Sequence, residues 1–281
     1  MSPSFGIAFG GGGARGLAHI HVIETLDELG IRPVAIAGSS IGAIMGAGMA
    51  AGMRGSEIRE HARSILATRA QVAGRIWRAR PGSLAELMKG GLHVGQFNGE
   101  RILKAFLPAT VPDTFEALGI PLKVTATDYF GHKLTVFEKG DLPSALAASA
   151  AIPAVFRPVV RDGCTLIDGG IYNPVPFDLL ARQADITIAV DVVGGPSAAE
   201  RRRPNSIDLM FGATQLMMQS IVAGKLTQCR PDVLIRPPVS RFRVLDFLKM
   251  DAVMAETAAV KDELKRAIEA ALEARYRPQR H

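Results

Sequence analysis

Two serines stand where a short apolar stretch gives way to small residues, in the order Gly38-Ser39-Ser40-Ile41-Gly42. A Gly-x-Ser-x-Gly pattern of this kind is typical of a sharp turn from a strand into a helix, where the corner residue adopts a strained backbone conformation. Glycines flank such a corner because no Cβ fits there. Ser40 at the corner is therefore a candidate nucleophile. The alternative is that Ser40 only caps the following helix, and these five positions by themselves leave both interpretations open.

The glycine-rich loop at residues 10–16 is the second stretch whose residue types could do chemistry. It has the Gly-x-Gly-x-x-Gly spacing of a dinucleotide fingerprint, but that interpretation requires an acidic residue where the second strand ends in Ser39 and Ser40. A P-loop would require a lysine in place of Leu17. The bare backbone N–H groups of the loop are instead suited to binding an anion at the N-terminus of the following helix. Beside a nucleophilic serine, that anion would be the oxyanion of acyl transfer.

The base that would activate Ser40 is predicted to be a carboxylate, because the histidines are poorly placed along the chain. Ordinary α/β-hydrolases order their triad as serine, acid, histidine, and the one histidine after Asp168 is His281, the last residue. The earlier histidines are interpreted as helix-face or loop residues: His19, His21, His61, His93 and His132. We therefore expect a Ser40–Asp168 dyad, in which a low dielectric raises the basicity of the carboxylate.

Strands and helices alternate along the chain, which predicts a mostly parallel sheet covered by helices on both faces. Predicted strands cover residues 4–9, 34 to the elbow, 121–128, 133–137, 159–160, 164–167, 186–193 and 233–235. Predicted helices cover residues 17–29, the elbow to 51, 142–151, 177–183, 207–226 and 252–275, with further helical sequence between 56 and 108. We expect one domain over residues 1–281, with its core between about 5 and 275. Neighbouring parallel strands would place the glycine-rich loop and Ser40 at the same sheet edge.

The composition is that of an ordinary globular protein, with 48% hydrophobic and 21% charged residues in a chain of 281. A net charge of +6 permits attraction to anionic surfaces, but no nucleic-acid-binding motif accompanies it, so no nucleic-acid partner is expected. Two cysteines, Cys164 and Cys229, are too few for a disulfide framework and indicate a cytoplasmic protein. The N-terminus lacks the basic region of a signal peptide. The uncharged run 33–53 is too rich in Ala and Gly for a transmembrane helix.

Taken together, five motifs resemble those of the patatin-like phospholipase family: Gly11–Gly16, Gly38–Gly42, Ala148–Pro153, Asp168–Gly170 and Asn173–Pro176. The resemblance extends from about Phe5 to the C-terminal helix. It implies a three-layer α/β/α sandwich, with Ser40 as nucleophile and Asp168 as base. It also implies an oxyanion hole made by backbone N–H groups near Gly11, Gly12 and Gly13. The implied activity is hydrolysis of fatty-acyl esters of phospholipids or related lipids through an acyl-enzyme intermediate, without a metal ion or organic cofactor.

Two other functions remain open at this point. One is a general carboxylesterase or thioesterase that acts on soluble acyl esters, and the other is a nucleotide-binding protein. The lipid head group, the ester position and the oligomeric state are not predicted. For a lipid substrate we expect peripheral membrane contact, at the inner membrane face, through Arg75–Arg80 with Trp77. The alternative for that segment is a packed Trp77 with solvated arginines.

Overall fold

The computed structural model describes residues 3–66, 99–197 and 204–276. The segment Arg75–Arg80, His93 and His281 lie outside the described residues. Within them, eight strands form one sheet. The strands are β1 Phe5–Phe9, β2 Ala35–Ser39, β3 Leu122–Asp128, β4 Lys133–Phe137, β5 Val159–Arg161, β6 Cys164–Asp168, β7 Ile186–Val190 and β8 Val233–Ile235.

The sheet has a parallel part and an antiparallel part. Strands β3, β2, β1, β7 and β8 lie side by side and are parallel. Strands β4 and β6 both pair with β3 in the antiparallel sense, and β5 pairs with β6 in the hairpin predicted around Asp162-Gly163. The predicted mostly parallel sheet is therefore confirmed, and its antiparallel extension begins at β3.

Helices cover the sheet, as the alternating pattern predicts. They are α1 His19–Glu28, α2 Ile41–Ala50, α3 Gly55–Leu66, α4 Gly99–Phe106, α5 Leu142–Ser149, α6 Ser206–Gln228, α7 Met250–Glu256 and α8 Val260–Tyr276. Large side chains of the central strands, such as Ile7 and Ile36, pack in one cluster with residues of α1, α2 and α8. On the other face, small residues such as Ala8 and Ala37 pack against Phe177. Both faces of the sheet are therefore buried, which confirms the predicted α/β/α sandwich.

Three predicted helices differ from the observed ones. The helix predicted from Leu17 begins instead as a 3-10 helix over Gly13–Ala18, which continues into α1. The helix predicted at 177–183 is a 3-10 helix over Phe177–Leu180, and Arg182 just beyond it has a positive φ that a helix cannot contain. The C-terminal helix is interrupted between α7 and α8 at Thr257, whose hydroxyl donates to the Val253 carbonyl at 2.8 Å. A hydroxyl bonded in this way competes with the helical backbone pattern and bends helices.

The uncharged run 33–53 divides at Ser40 into β2 and α2, and nearly all of it is buried against other elements. No helix in the described ranges has both the length and the apolar character needed to cross a bilayer.

Candidate active site

Ser40 is the corner residue between β2 and α2, and its backbone has the strained conformation predicted for the elbow. Its φ is 53° and its ψ is −125°. A Cβ on Gly38 would lie 2.4 Å from Ala43 Cα, and one on Gly42 would lie 2.2 Å from the Phe9 carbonyl oxygen, so only glycine fits at either position. The Ser40 side chain makes no capping hydrogen bond to α2. Its hydroxyl is therefore not used in the way that the capping interpretation requires.

The Ser40 hydroxyl instead donates to a carboxylate. Ser40 Oγ lies 2.6 Å from Asp168 Oδ2, and the other oxygen, Oδ1, accepts from the Gly170 backbone N–H at 2.8 Å. Both side chains are almost buried, with 4% of Ser40 and 7% of Asp168 exposed. The two residues that sequence reasoning selected as nucleophile and base are thus in direct contact, with the carboxylate held by a second hydrogen bond.

Sheet topology explains why residues 128 positions apart meet. Strand β2 pairs with the first half of β3 and ends at Ser39, opposite Thr125. Strand β6 pairs with the second half of β3 and ends at Asp168, opposite Ala126. Because β4 occupies the other edge of β3, β2 and β6 follow one another along the same edge and point toward each other. Asp168 at the end of β6 therefore lies beside Ser40.

Burial raises the pKa of Asp168 from 3.8 to about 6, although the hydrogen bonds from Ser40 and Gly170 favour the ionised form. At neutral pH the carboxylate is still ionised, but it binds a proton more strongly than an exposed aspartate does. The site therefore has a base of increased strength next to the candidate nucleophile.

None of the histidines in the described ranges donates to or accepts from Ser40 or Asp168. His19 is buried, and its Nε2 is paired with the Gly10 carbonyl at 2.8 Å, behind the glycine-rich loop. Desolvation lowers the pKa of His19 to about 4, so its ring is neutral and Nε2–H is the donor. His21 and His61 are paired with the carbonyls of Met254 and Phe106. These histidines have structural partners away from the dyad.

The glycine-rich loop lies next to Ser40, because β1 and β2 are parallel neighbours with Phe9 opposite Gly38. The N–H of Gly11 donates to the Pro174 carbonyl at 2.9 Å, so it is already engaged. Within the described residues the N–H groups of Gly12 and Gly13 have no hydrogen-bond acceptor. Both glycines line a cavity together with Ser40 and Asp168. Of the three glycines predicted to supply oxyanion donors, Gly12 and Gly13 therefore remain candidates, whereas the N–H of Gly11 is already used within the protein.

Two polar clusters that were not predicted from the sequence hold this loop in place, one buried around Arg15 and one partly buried around Lys225. The Arg15 guanidinium is 3% exposed and donates to the Phe242 and Val193 carbonyls, and its burial lowers its pKa to about 10. Lys225 donates to Asn173, to the Val175 carbonyl and to Asp178, and so fixes the turn that contains Pro174. The sequence feature that could have indicated a role for Arg15 is that it is a charged residue within a loop of otherwise small residues. Asn173 and Pro174 belong to the motif Asn173–Pro176, for which no role was predicted from the sequence.

No role was predicted from the sequence for Ser149, the last residue of α5. Its hydroxyl accepts a hydrogen bond from the backbone N–H of Ser40 at 2.8 Å, and its side chain is fully buried. It therefore satisfies a donor in the strained corner itself. Its position in the motif Ala148–Pro153 is the only sequence signal of this contact.

An apolar cavity of about 350 Å³ opens from Ser40 between α2, α3 and α4. Its walls are aliphatic and aromatic almost throughout, including Ile44, Met45, Ile58, Ala62, Ile65, Ile102, Leu103, Phe106, Ala147, Val155, Phe156, Leu245 and Phe247. A second, smaller cavity of about 110 Å³ also reaches Ser40 and Asp168, with Met210, Phe211 and Met218 of α6 in its wall. No group of three or more potential metal ligands is found among the described residues.

Comparisons with known proteins support the resemblance noted in the sequence. A family model described as patatin-like phospholipase matches residues 7–181. An uncharacterized NTE family protein of Mycobacterium tuberculosis is 39% identical over 201 residues, which cover 71% of this chain and 52% of that protein. The human patatin-like phospholipase domain-containing protein 6 is 24% identical over 277 residues, which cover 88% of this chain and 19% of that protein. The chain thus spans about half the length of its mycobacterial relative.

Among solved structures, VipD from Legionella pneumophila matches with a TM-score of 0.44 and 15% identity, covering 92% of this chain and 66% of that chain. ExoU, in its complex with SpcU from Pseudomonas aeruginosa, matches with a TM-score of 0.36 and 17% identity, covering 96% of this chain and 60% of that chain.

Proposed function

The chain belongs to the patatin-like phospholipase family, and we propose that it is a lipid acyl hydrolase that cleaves fatty-acyl esters of phospholipids or related lipids. Ser40 is the proposed nucleophile and Asp168 the proposed general base. The observation that carries this proposal is the 2.6 Å hydrogen bond between Ser40 Oγ and Asp168 Oδ2 at a strained elbow. The proposed reaction uses no metal ion or organic cofactor.

In the first half of the proposed reaction, Ser40 Oγ attacks the ester carbonyl carbon while its proton passes to Asp168 Oδ2. The carbonyl oxygen becomes an oxyanion and accepts hydrogen bonds from the N–H groups of Gly12 and Gly13. When the tetrahedral intermediate collapses, the alcohol leaves with the proton from Asp168, and the acyl group remains on Ser40. Water then attacks the acyl-enzyme, with Asp168 accepting its proton. When this second tetrahedral intermediate collapses, the proton passes from Asp168 to Ser40 Oγ, and the fatty acid is released.

The apolar cavity supports a long acyl chain as the group that is transferred. Its volume of about 350 Å³ lies in the range of small-molecule sites, and its walls offer few polar partners. Each methylene that leaves water for such a cavity contributes about 0.8 kcal/mol. A long acyl ester would therefore bind more tightly than a short one, which favours a lipid over the soluble esters of a general carboxylesterase or thioesterase. A nucleotide finds less support, since the two cavities that reach Ser40 beside the glycine-rich loop are lined mainly by apolar side chains.

Two further proposals concern the protein as a whole. Residues 1–281 are proposed to form a single domain, and the protein is proposed to work in the cytoplasm with peripheral contact to the inner membrane face. A comparison of the hydrolysis rate on phospholipid vesicles with the rates on soluble esters of increasing chain length would separate a lipid hydrolase from a general esterase. A lipid hydrolase should prefer the vesicles and the longer chains.

The nucleophile is tested by exposing the protein to a fluorophosphonate and measuring its intact mass, followed by peptide mapping. We expect one adduct, on Ser40. Ser40→Ala should abolish labelling and reduce ester hydrolysis by about four decades or more, the scale seen when a serine nucleophile is removed. Ser39→Ala is the matched control, because the Ser39 hydroxyl is buried without a partner among the described residues, and it should be far milder. A Ser40→Ala protein with a tenth of wild-type turnover would exclude Ser40.

A further inference from the structure

Helix α6 has an outer face of unusual composition. The sequence contains no charged residue from Leu209 to Gly224. A helix of this kind is normally buried on most sides, yet the outer side chains here face solvent. Leu209 is 58% exposed, Leu216 55% and Met217 60%.

These side chains belong to a larger apolar surface, which we call the apolar patch. It consists of Ile207, Leu209, Met210, Leu216 and Met217 of α6 together with Leu245 and Leu248. The two segments meet at one groove, because Ile207 and Leu245 both line it. In the part of the chain that the structure describes, more than half of the exposed large hydrophobic side chains lie in this patch. Exposed apolar surface concentrated in this way marks a contact site.

The apolar patch is continuous with the openings of the two cavities at Ser40. Met210 is 43% exposed and also lines the smaller cavity, in which Asp168 lies. Leu245 is 50% exposed and also lines the large apolar cavity. A protein partner on this patch would cover the entrance to Ser40. A lipid surface on the same patch would instead place the proposed substrate at the openings of the two cavities.

Charges near the patch suit an anionic surface. Arg241, Arg243 and Lys249 each lie close to a carboxylate, at 2.9, 3.9 and 2.9 Å, so the local charges are mixed. The basic side chains are nevertheless 48–56% exposed, against 18–35% for the acidic partners Glu256, Asp208 and Asp246. In each of these three pairs the positive charge is the more exposed one, and basic groups near an apolar face favour binding to anionic lipid.

We propose that the apolar patch docks the protein on the surface of an anionic phospholipid bilayer, with Ser40 facing the lipid. This proposal rests on the proposed lipid hydrolase function and names how that site reaches its substrate. The contact differs from the predicted segment Arg75–Arg80, which lies outside the described residues. Docking by α6 is shallow and parallel to the surface, because its apolar side chains project from one outer face.

The test measures binding to phosphatidylcholine vesicles with and without phosphatidylglycerol, by co-sedimentation, using the full chain with Ser40→Ala so that no lipid is consumed. The variant carries Leu216→Gln and Met217→Gln, two exposed residues that line none of the cavities described above. We expect binding to phosphatidylglycerol vesicles to weaken by about tenfold or more, since the buried apolar area sets the strength of such contacts. In the background with Ser40 intact, hydrolysis of a soluble short-chain ester should change by less than about twofold, because no cavity wall is altered.

The matched control is Leu29→Gln with Val34→Gln, which are 42% and 45% exposed. Leu29 follows α1 and Val34 precedes the amino end of β2, whereas Ser40 follows the carboxyl end of that strand. Vesicle binding should be unchanged in this control. The docking proposal is overturned if both pairs of substitutions weaken binding equally or if neither does. It is also overturned if the wild-type protein is a dimer by light scattering that only the α6 variant dissociates, while vesicle binding is unchanged.

The outcome for docking is separable from the outcome for the enzyme. Vesicle binding that depends on α6, in a protein that hydrolyses no lipid, would support the docking surface and reject the proposed activity. Lipid hydrolysis by a protein whose vesicle binding does not depend on α6 would support the proposed activity and reject the docking surface.

Discussion

The two sides of Ser40 differ in what forms them: backbone contacts form the elbow side, and apolar side chains form the cavity side. On the elbow side, backbone approaches backbone so closely that Gly38 and Gly42 have no room for a Cβ. On the cavity side, apolar side chains surround about 350 Å³ of open space. Reaction geometry is thus set by backbone contacts that tolerate little change, and substrate choice by side chains that can vary. Substitutions on the elbow side should lower turnover, whereas those on the cavity side should change which substrate is preferred.

After Ser40→Ala, the largest effect is expected from Asp168→Asn. This change removes the base but keeps the size of the side chain, so turnover should fall by about two decades or more. The wild-type rate should rise with pH and level off above about 6, where Asp168 ionises, and this step should be absent from the variant's residual rate. The measurement is kcat/KM for a soluble ester against pH.

Stability supplies the control for this variant. The pKa of Asp168 is raised on folding, so its ionised form opposes folding at every pH above the unfolded value of 3.8, and most fully above about 6. Asp168→Asn should therefore leave the Tm at pH 8 unchanged or raise it. Asp162→Asn, at the exposed turn of the same hairpin, should leave the rate unchanged. A strong loss of Tm in Asp168→Asn would attribute the lost activity to unfolding.

Gly13→Ala is expected to have the next largest effect. Gly13 has a φ of +59°, and an added Cβ would lie 2.2 Å from the Val244 carbonyl oxygen, so the loop must move. Displacing an oxyanion donor costs about two decades of kcat. KM should change less than kcat, because Gly13 is one of many residues that line the apolar cavity, whereas it is one of two proposed oxyanion donors.

Gly30→Ala is a close control for the backbone strain in this variant. Gly30 has a φ of +65° but no atom within 4 Å of an added Cβ, and it lies at the end of α1 away from Ser40. It should lose some Tm without losing turnover. Equal turnover in the two variants would count against the loop as the oxyanion site.

Ser149→Ala should have a smaller effect on the same side of Ser40. The buried N–H of Ser40 would lose its acceptor, and an unpaired buried donor costs about 1–3 kcal/mol. The strained corner should then relax, and kcat and the rate of fluorophosphonate labelling should fall together by about tenfold. Ser144→Ala removes another hydroxyl from α5, one that bonds to Glu100 instead, and should keep its labelling rate. Unchanged labelling in Ser149→Ala would mean that the corner holds its geometry without this contact.

The smallest expected effect on turnover, and the one that tests the cavity side, is from Ala62→Phe. Ala62 lies on α3 and lines the apolar cavity, so a phenyl ring there would occupy part of the open space. Activity on a long-chain ester should fall about tenfold relative to a short-chain ester, since each methylene excluded forfeits about 0.8 kcal/mol. Ala255→Phe, on the exposed surface of α7, should keep the wild-type preference. An unchanged chain-length preference in Ala62→Phe would show that the acyl chain binds elsewhere.

The residues of the elbow side could be predicted from sequence because their geometry is local. The strand-to-helix corner at Ser40 and the glycine-rich loop each depend on a few consecutive residues, and a glycine requirement is visible in the sequence itself. The alternation of strands and helices indicated a parallel sheet, which placed the loop beside Ser40. Asp168 was predicted as the base because the histidines are poorly placed along the chain and because the motifs resemble those of a family. Neither argument shows where Asp168 lies in space relative to Ser40.

The tertiary structure decided the remainder, because it depends on contacts between distant residues. The collinear arrangement of β2 and β6 along β3 brings Asp168 to Ser40, and no local pattern encodes which edge of a strand a later strand will join. The Pro174 carbonyl accepts a hydrogen bond from the N–H of Gly11, which leaves Gly12 and Gly13 as the proposed oxyanion donors. Helices α2 and α6 both contain long uncharged runs, yet the first is buried and the second is exposed. Apolar composition indicates that a surface favours removal from water, but only the packing of the whole chain determines whether the chain itself covers it.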